Sequence, residues 1–181
     1  MSEVELRAAT QEDAGFLYNL LKTTMQQYVA QTWGWDERWQ QEHFRESFEP
    51  NKERVVVLGG QDIGVISVEQ KEDEVFLSKI YILPEYQGQG IGTHLIRSIL
   101  DQAFDSGLPV ALRVLRVNPA KRLYERLGFV DTGETETHYS MKAIPDRVEA
   151  AGVDCLSRKK SQRQRRTEFA QTGRPANNRC T

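Results

Sequence analysis

Three glycines fall within five residues at Gly88-Gln89-Gly90-Ile91-Gly92, and no other feature limits so tightly what this chain can fold into. The cluster belongs to Pro84-Glu85-Tyr86-Gln87-Gly88-Gln89-Gly90-Ile91-Gly92-Thr93-His94, between an extended segment and one of helical period. Glycine removes the Cβ atoms that would hold a ligand away from the backbone. The first N–H groups of a helix lack intrahelical acceptors, and with the helix dipole they form a phosphate seat that needs no lysine. For an isolated Gly-x-Gly, a tight structural connection is the plain alternative. Two commoner phosphate motifs do not fit. A Walker A loop requires Gly-Lys-Ser/Thr, whereas Thr93 follows Gly92 directly. A Rossmann fingerprint needs its third glycine at position 93 and a preceding βαβ strand, and here neither condition holds.

The surrounding periodicity reads as one α/β domain. Val4-Glu5-Leu6-Arg7 predicts a first strand, and Thr10 is placed to cap a helix with Asp13 as its partner. Ala14, Leu17, Leu21, Met25 and Tyr28 then recur at helical spacing. A second helix is expected from Asp36 through Trp39 and Phe44 to Phe48, closed by Pro50. Arg54 to Leu58, Ile63 to Glu69 and Val75 to Leu83 read as a three-strand meander, with Gly59-Gly60-Gln61-Asp62 and Lys71-Glu72-Asp73 as its turns. From Gly90 the helical period returns until Gly107, with Pro109 forbidding continuation. Val110 to Val117 is a strand, and Pro119 opens a helix whose stripe, Ala120, Leu123, Tyr124 and Leu127, stops at Gly128 in the C′ position. Phe129-Val130 and His138 to Ala143 are expected as closing strands.

Charge divides the chain at Pro145. Of 181 residues with a formal net charge of −2, residues 145–181 hold nine Lys/Arg against four Asp/Glu, so residues 1–144 carry 15 basic and 22 acidic side chains. The segment Ser157 to Arg166 has no core-facing period, and residues 145–181 are expected to be a basic, disordered tail with a short helix near Asp146 to Ala151. Lacking interleaved aromatics, that tail reads as solvated chain rather than a nucleic-acid binder. Both cysteines, Cys155 and Cys180, lie in it, so residues 1–144 contain no disulfide framework and no thiolate metal site, which suits a reducing cytosol. The acidic start, Met1 to Glu5, has no apolar secretory core, and no stretch reaches the length of a membrane span.

Ile80-Tyr81-Ile82-Leu83-Pro84-Glu85-Tyr86-Gln87-Gly88-Gln89-Gly90-Ile91-Gly92 closely resembles motif A of the GNAT superfamily of acetyl-CoA-dependent N-acetyltransferases. About thirty residues on, Asn118-Pro119-Ala120-Lys121-Arg122-Leu123-Tyr124-Glu125-Arg126-Leu127-Gly128-Phe129 resembles motif B, which ends in Leu-Tyr-x-x-x-Gly-Phe. Asn118 stands one residue nearer to Tyr124 than is usual in the family. The resemblance covers residues 3–143 and implies the family's α+β fold: a mixed, mostly antiparallel sheet of about seven strands with four helices, splayed at the cofactor cleft. It implies a pyrophosphate on the main-chain N–H groups of Gly88, Gln89, Gly90, Ile91, Gly92 and Thr93, with Gln87 and Asn118 also at the cofactor. The pantetheine arm would lie along Ile80, Tyr81 and Ile82 like an added strand, and an N–H near Ile82 would polarise the thioester carbonyl. Tyr124 would serve as the acid for the departing thiolate.

The base is left open. Many relatives carry a glutamate where this chain has Phe76; Glu74, Glu69, His138 or a water are the alternatives. Trp33, Trp35 and Trp39 lie between the first two helices, where they would either wall an acceptor pocket with Asp36 or Glu37 attracting an ammonium group, or plug the loop against the sheet. The resulting expectation is a cytoplasmic, metal-free enzyme, monomer or homodimer, that transfers acetyl from acetyl-CoA to a small-molecule or protein amine. The alternative is an acyl-CoA-binding sensor or interaction module without catalysis.

Overall fold

The computed structural model describes residues 4–145; the tail and its expected short helix lie outside the described residues. Seven strands form one sheet: β1 (Val4–Ala8), β2 (Arg54–Leu58), β3 (Gln61–Gln70), β4 (Val75–Ile82), β5 (Val110–Leu115), β6 (Val130–Glu134) and β7 (His138–Ala143). Their spatial order is β1-β2-β3-β4-β5-β7-β6, antiparallel throughout except for the parallel pair β4 and β5. Four helices, α1 (Ala14–Trp33), α2 (Glu37–Ser47), α3 (Ile91–Asp105) and α4 (Lys121–Arg126), complete the α+β architecture expected from the sequence. None of the described helices is long and apolar enough to cross a membrane.

The element ends follow from local chemistry. Asp36 caps α2 by accepting the N–H of Trp39 at 3.0 Å. The β2–β3 hairpin turns on Gly59 and Gly60, both at positive φ, as a two-residue hairpin loop requires. Two apolar layers hold the sheet. On one face α3 buries Ile91, Leu95, Ile96, Leu100 and Ala103 against Val56, Ile63, Leu77, Val110 and Leu112. On the other, α1 buries Leu17 and Leu20 against Val55, Val57 and Val65. Phe129 and Val117, read from the sequence as strand residues, fall outside the strands; Phe129 instead follows the α4 stop and is buried.

A charged clamp ties the first strand to this frame. The Arg7 guanidinium donates to both carboxylate oxygens of Asp13 at 2.9 and 2.7 Å, and to both of Asp62 at 3.2 and 2.6 Å. Asp13 also accepts the N–H of Thr10 at 2.7 Å, completing the turn that leads into α1. The hydrogen bonds from Arg7 hold the Asp13 carboxyl well below the usual carboxylate range. A depressed acid contributes stability that is present above its unfolded pKa of about 4 and is lost as pH falls toward the folded value. Replacing Asp13 by Asn should therefore lower stability by about 1–3 kcal/mol at neutral pH. The difference from wild type should shrink as denaturation is repeated at successively lower pH below about 4; a constant gap would contradict the clamp.

Candidate active site

The site begins with a strand that loses its neighbour. β4 pairs with β5 only at Val75↔Val110, Phe76↔Ala111 and Leu77↔Leu112, although β4 runs on to Ile82 and β5 to Leu115. On its other side β4 stays paired with β3 up to Gly64↔Ile82. The pairing steps from Val68↔Leu77 to Ser67↔Lys79, so Ser78 is an extra residue on β4, a β-bulge at the point where the strands part. Ser78 Oγ donates to the Ser67 carbonyl at 3.1 Å and fixes the bulge.

The bulge sets which way the main chain faces. Val75 N–H donates across to the Pro109 carbonyl, and Leu83 N–H donates to Ile63 on the β3 side, at 2.9 and 2.8 Å. Because successive residues alternate, the main-chain polar groups of Ile80 and Ile82 are aimed into the gap beside β5. Gln87 Nε2 fills one of them, donating to the Ile82 carbonyl at 2.7 Å. Gly64 makes this edge possible: a Cβ there would lie 2.5 Å from the Tyr81 carbonyl oxygen and 2.6 Å from Ile82 Cδ1.

The glycine turn continues the same wall. Gly88 and Gly90 have φ of 72° and 84°, and Gly90 caps α3, whose first helical bond runs from His94 N–H to the Gly90 carbonyl at 2.9 Å. The main-chain N–H groups from Gly88 to Thr93 donate to no protein acceptor among the described residues. A cradle of six successive free donors fits a diphosphate in number and in chemistry.

Opposite lies α4, ended by a Schellman motif. Phe129 N–H donates to the Tyr124 carbonyl and Gly128 N–H to that of Glu125, both at 3.1 Å, with Gly128 at φ 91°. The apolar contact that accompanies such a stop is here the Tyr124 and Phe129 rings, edge to face with centroids 5.8 Å apart. Leu-Tyr-x-x-x-Gly-Phe is thus a device for locking one tyrosine. Tyr124 is 8% exposed, and burial pushes its hydroxyl up to about 12. Tyr81 is raised to about 12 by burial, with added repulsion from Tyr124 and from Glu53, a buried acid ion-paired with Lys79.

These elements enclose a cleft of about 450 Å³. Of the residues singled out in the sequence, Ile80, Tyr81, Ile82, Gln87, Gly88, Gly90, Ile91, Gly92, Thr93, Asn118 and Tyr124 all line it. Gln89 does not: its side chain turns back to the Glu85 carbonyl at 2.9 Å. Asn118 Oδ1 accepts the Ala120 N–H at 2.9 Å, and its Nδ2 lies 3.9 Å from Met25 Sδ. Thr24, Met25 and Tyr28 of α1 form a wall that sequence reasoning missed, as does Arg126 from α4. Met25 and Tyr28 carried a signal, the apolar stripe of α1, but the stripe does not tell which turn faces the cleft.

None of the three rival bases lines the cleft. Glu74 precedes β4, about 20 Å along the strand from Ile80. It pairs with Lys142 at 2.9 Å and Lys71 at 3.1 Å, which hold its carboxyl below the ordinary value. Glu69 is exposed near the end of β3, opposite Phe76. His138, lowered by burial and by the Arg113 charge, bonds Thr137 and lies against Trp33.

The family model described as the acetyltransferase (GNAT) family matches residues 16–129. Thialysine N-epsilon-acetyltransferase of Bos taurus is 41% identical over 68 residues, which cover 36% of this chain and 40% of that protein. The ribosomal protein bS18-alanine N-acetyltransferase of Haemophilus influenzae is 33% identical over 85 residues, covering 46% of this chain and 58% of that protein. The chain thus matches about half the length of these relatives. The PaiA N-acetyltransferase of Thermoplasma acidophilum, solved in complex with coenzyme A, superposes with a TM-score of 0.64 at 19% identity over 78% of this chain and 99% of that one. With sequence model, sheet order and parted strands in agreement, this chain belongs to the GNAT acetyltransferase family.

Proposed function

We propose that the chain transfers the acetyl group of acetyl-CoA directly to an amine. The observation that carries this reading is the continuous polar edge formed by the main chain of Ile80 and Ile82 and the free N–H groups from Gly88 to Thr93. In this reading Gly88 to Thr93 hold the diphosphate, Ile80 and Ile82 pair with the pantetheine amides as a further strand would, and Arg126 adds positive charge at the α4 wall. When bound, acetyl-CoA supplies an acetyl group already activated as a thioester. The Ile82 N–H, aimed into the gap, stabilises negative charge on the acetyl oxygen. Residues 1–144 hold no cysteine, which supports transfer without a cysteinyl acyl-enzyme and a reducing, cytoplasmic setting.

Tyr124 holds its proton. At about 12 it stays a phenol throughout the neutral range, whereas a thiol titrates at about 8.5, so the tyrosine stabilises the departing thiolate as a hydrogen-bond donor. The lining of the cleft offers no carboxylate or imidazole among the described residues, so the amine surrenders its proton to water. Small-molecule and protein amines are both represented among the relatives' names, and the excess of acid in residues 1–144 favours a cationic acceptor. The reading holds for a monomer or a homodimer.

Thiol release from acetyl-CoA, measured across a panel of amines, tests the reading. Tyr124→Phe should lower kcat about a hundredfold with little change in the KM for acetyl-CoA. Coenzyme A that binds while no amine provokes thiol release would instead favour an acyl-CoA sensor. The cradle has its own test. A Cβ at Gly92 would meet only Leu123 Cδ2 at 3.9 Å, so Gly92→Val should fold. It should nevertheless weaken coenzyme A about tenfold or more by calorimetry, and unchanged affinity would contradict the diphosphate seat. Gly90→Ala, at φ 84°, should instead cost about 1–2 kcal/mol of stability through left-handed strain.

A further inference from the structure

The elbow between α1 and α2 carries a second concavity, lined by residues other than those of the cleft. It has a volume of about 440 Å³ and is walled by Val29, Trp33, Trp35, Asp36 and Trp39. All three tryptophans of the chain therefore meet in one place. Trp33 and Trp39 are 59% and 55% exposed, which is unusual for a side chain that gains so much from burial.

Each ring is nevertheless held. Trp35 Nε1 donates to Glu37 Oε2 at 2.9 Å, and Glu37 is fixed in turn by Tyr18, Lys22 and Gln41. Trp39 stacks on His43 with centroids 4.8 Å apart, and Trp33 rests against His138 at 5.7 Å. Pre-set aromatic faces bind cations with little ordering cost.

Among the described residues the only charged side chain lining the concavity is acidic, that of Asp36. Trp33 is the last residue of α1, and the carbonyls of Gln31, Thr32 and Trp33 accept no main-chain hydrogen bond, so the negative end of the helix dipole opens here. The last turn of α1 has no basic residue to offset it. Asp36 gives one carboxylate oxygen to Trp39 N–H and keeps the other. No lysine or arginine among the described residues lines the concavity. Glu37, the other acid expected from the sequence to attract an ammonium group, is consumed by its four partners.

We propose that this elbow is an aromatic cage for an alkylammonium group, and that its occupant is a second positive charge on the acceptor. Placement argues for the acceptor. The same helix lines both sites, Met25 and Tyr28 facing the cleft and Val29 and Trp33 the cage, about 12 Å apart from Met25 to Trp33. The choice of occupant rests on the acetyl-transfer reading; the cage itself does not.

Equilibrium binding to the full chain, followed by tryptophan emission, tests both parts without turnover. Choline should bind more tightly than its uncharged isostere 3,3-dimethylbutan-1-ol, and Trp33→Ala and Trp39→Ala should each weaken choline about threefold to fivefold. Asp36→Asn, which keeps the helix cap, should weaken choline and leave the alcohol unchanged. Equal binding of choline and the alcohol, or choline affinity unaltered in both tryptophan variants, would overturn the cage. A series of α,ω-diamines should bind more tightly than monoamines of matching length, with the advantage lost in Trp39→Ala. Should choline bind as expected while diamines keep their advantage in Trp39→Ala or show none, the acceptor is not the occupant. Failure of thiol release with every amine would count against acetyl transfer and leave the choline result standing.

Discussion

Everything in this molecule is arranged around main-chain hydrogen bonds that one strand does not make. β4 is central in the sheet, yet beyond Leu77 it has a partner on one side only. Unpaired backbone groups inside a fold are costly unless water or a ligand satisfies them. The structure keeps them unpaired by local means: the Ser78 bulge turns the strand, and Gly64 lets β3 press close enough to support it. The gap is then a built feature, with its own fixings, and the glycine turn extends it by six further donors.

Around that edge the remaining parts supply position more than reactivity. Tyr124 is buried and locked by the helix stop that follows it, so its high pKa and its orientation have one cause, the packing of α4 and Phe129. Several of the acids packed around the sheet are spent on structure. Asp13 and Asp62 hold Arg7, Glu74 holds two lysines, Glu53 holds Lys79, and Glu37 anchors the elbow. Among the described residues the cleft is lined by main-chain donors and tyrosines and by no carboxylate.

The legible parts of the sequence were those fixed by neighbours in the chain. Strand and helix periods, the Asp36 cap, the left-handed Gly128 stop and the glycine turn depend on residues a few positions apart, and each appears near where the sequence puts it. The chain also advertises its family through two separated blocks, each of which turns out to be a helix-end device. What could not be read depends on register and distance. The bulge at Ser78 is visible only in the pairing of two strands, and Met25 reaches Asn118 across 93 positions. Lys142, one of the two lysines that hold Glu74, is brought to it by β7 from the far side of β5, a contact that no local pattern encodes. The two readings of the tryptophans, wall or plug, turned on exposure, which no local pattern encodes.

The shortness of the β4–β5 contact has a mechanical meaning. Three residue pairs are all that join the strands of β1 to β4 to those of β5 to β7 within the sheet. Local stability in proteins varies with how many such bonds must open together. The backbone amides flanking this seam should exchange with solvent more readily than those of the β2–β3 and β5–β7 ladders on either side. A ligand lying along the seam would then act as a missing rung, so that the free and loaded molecules differ less in shape than in stiffness.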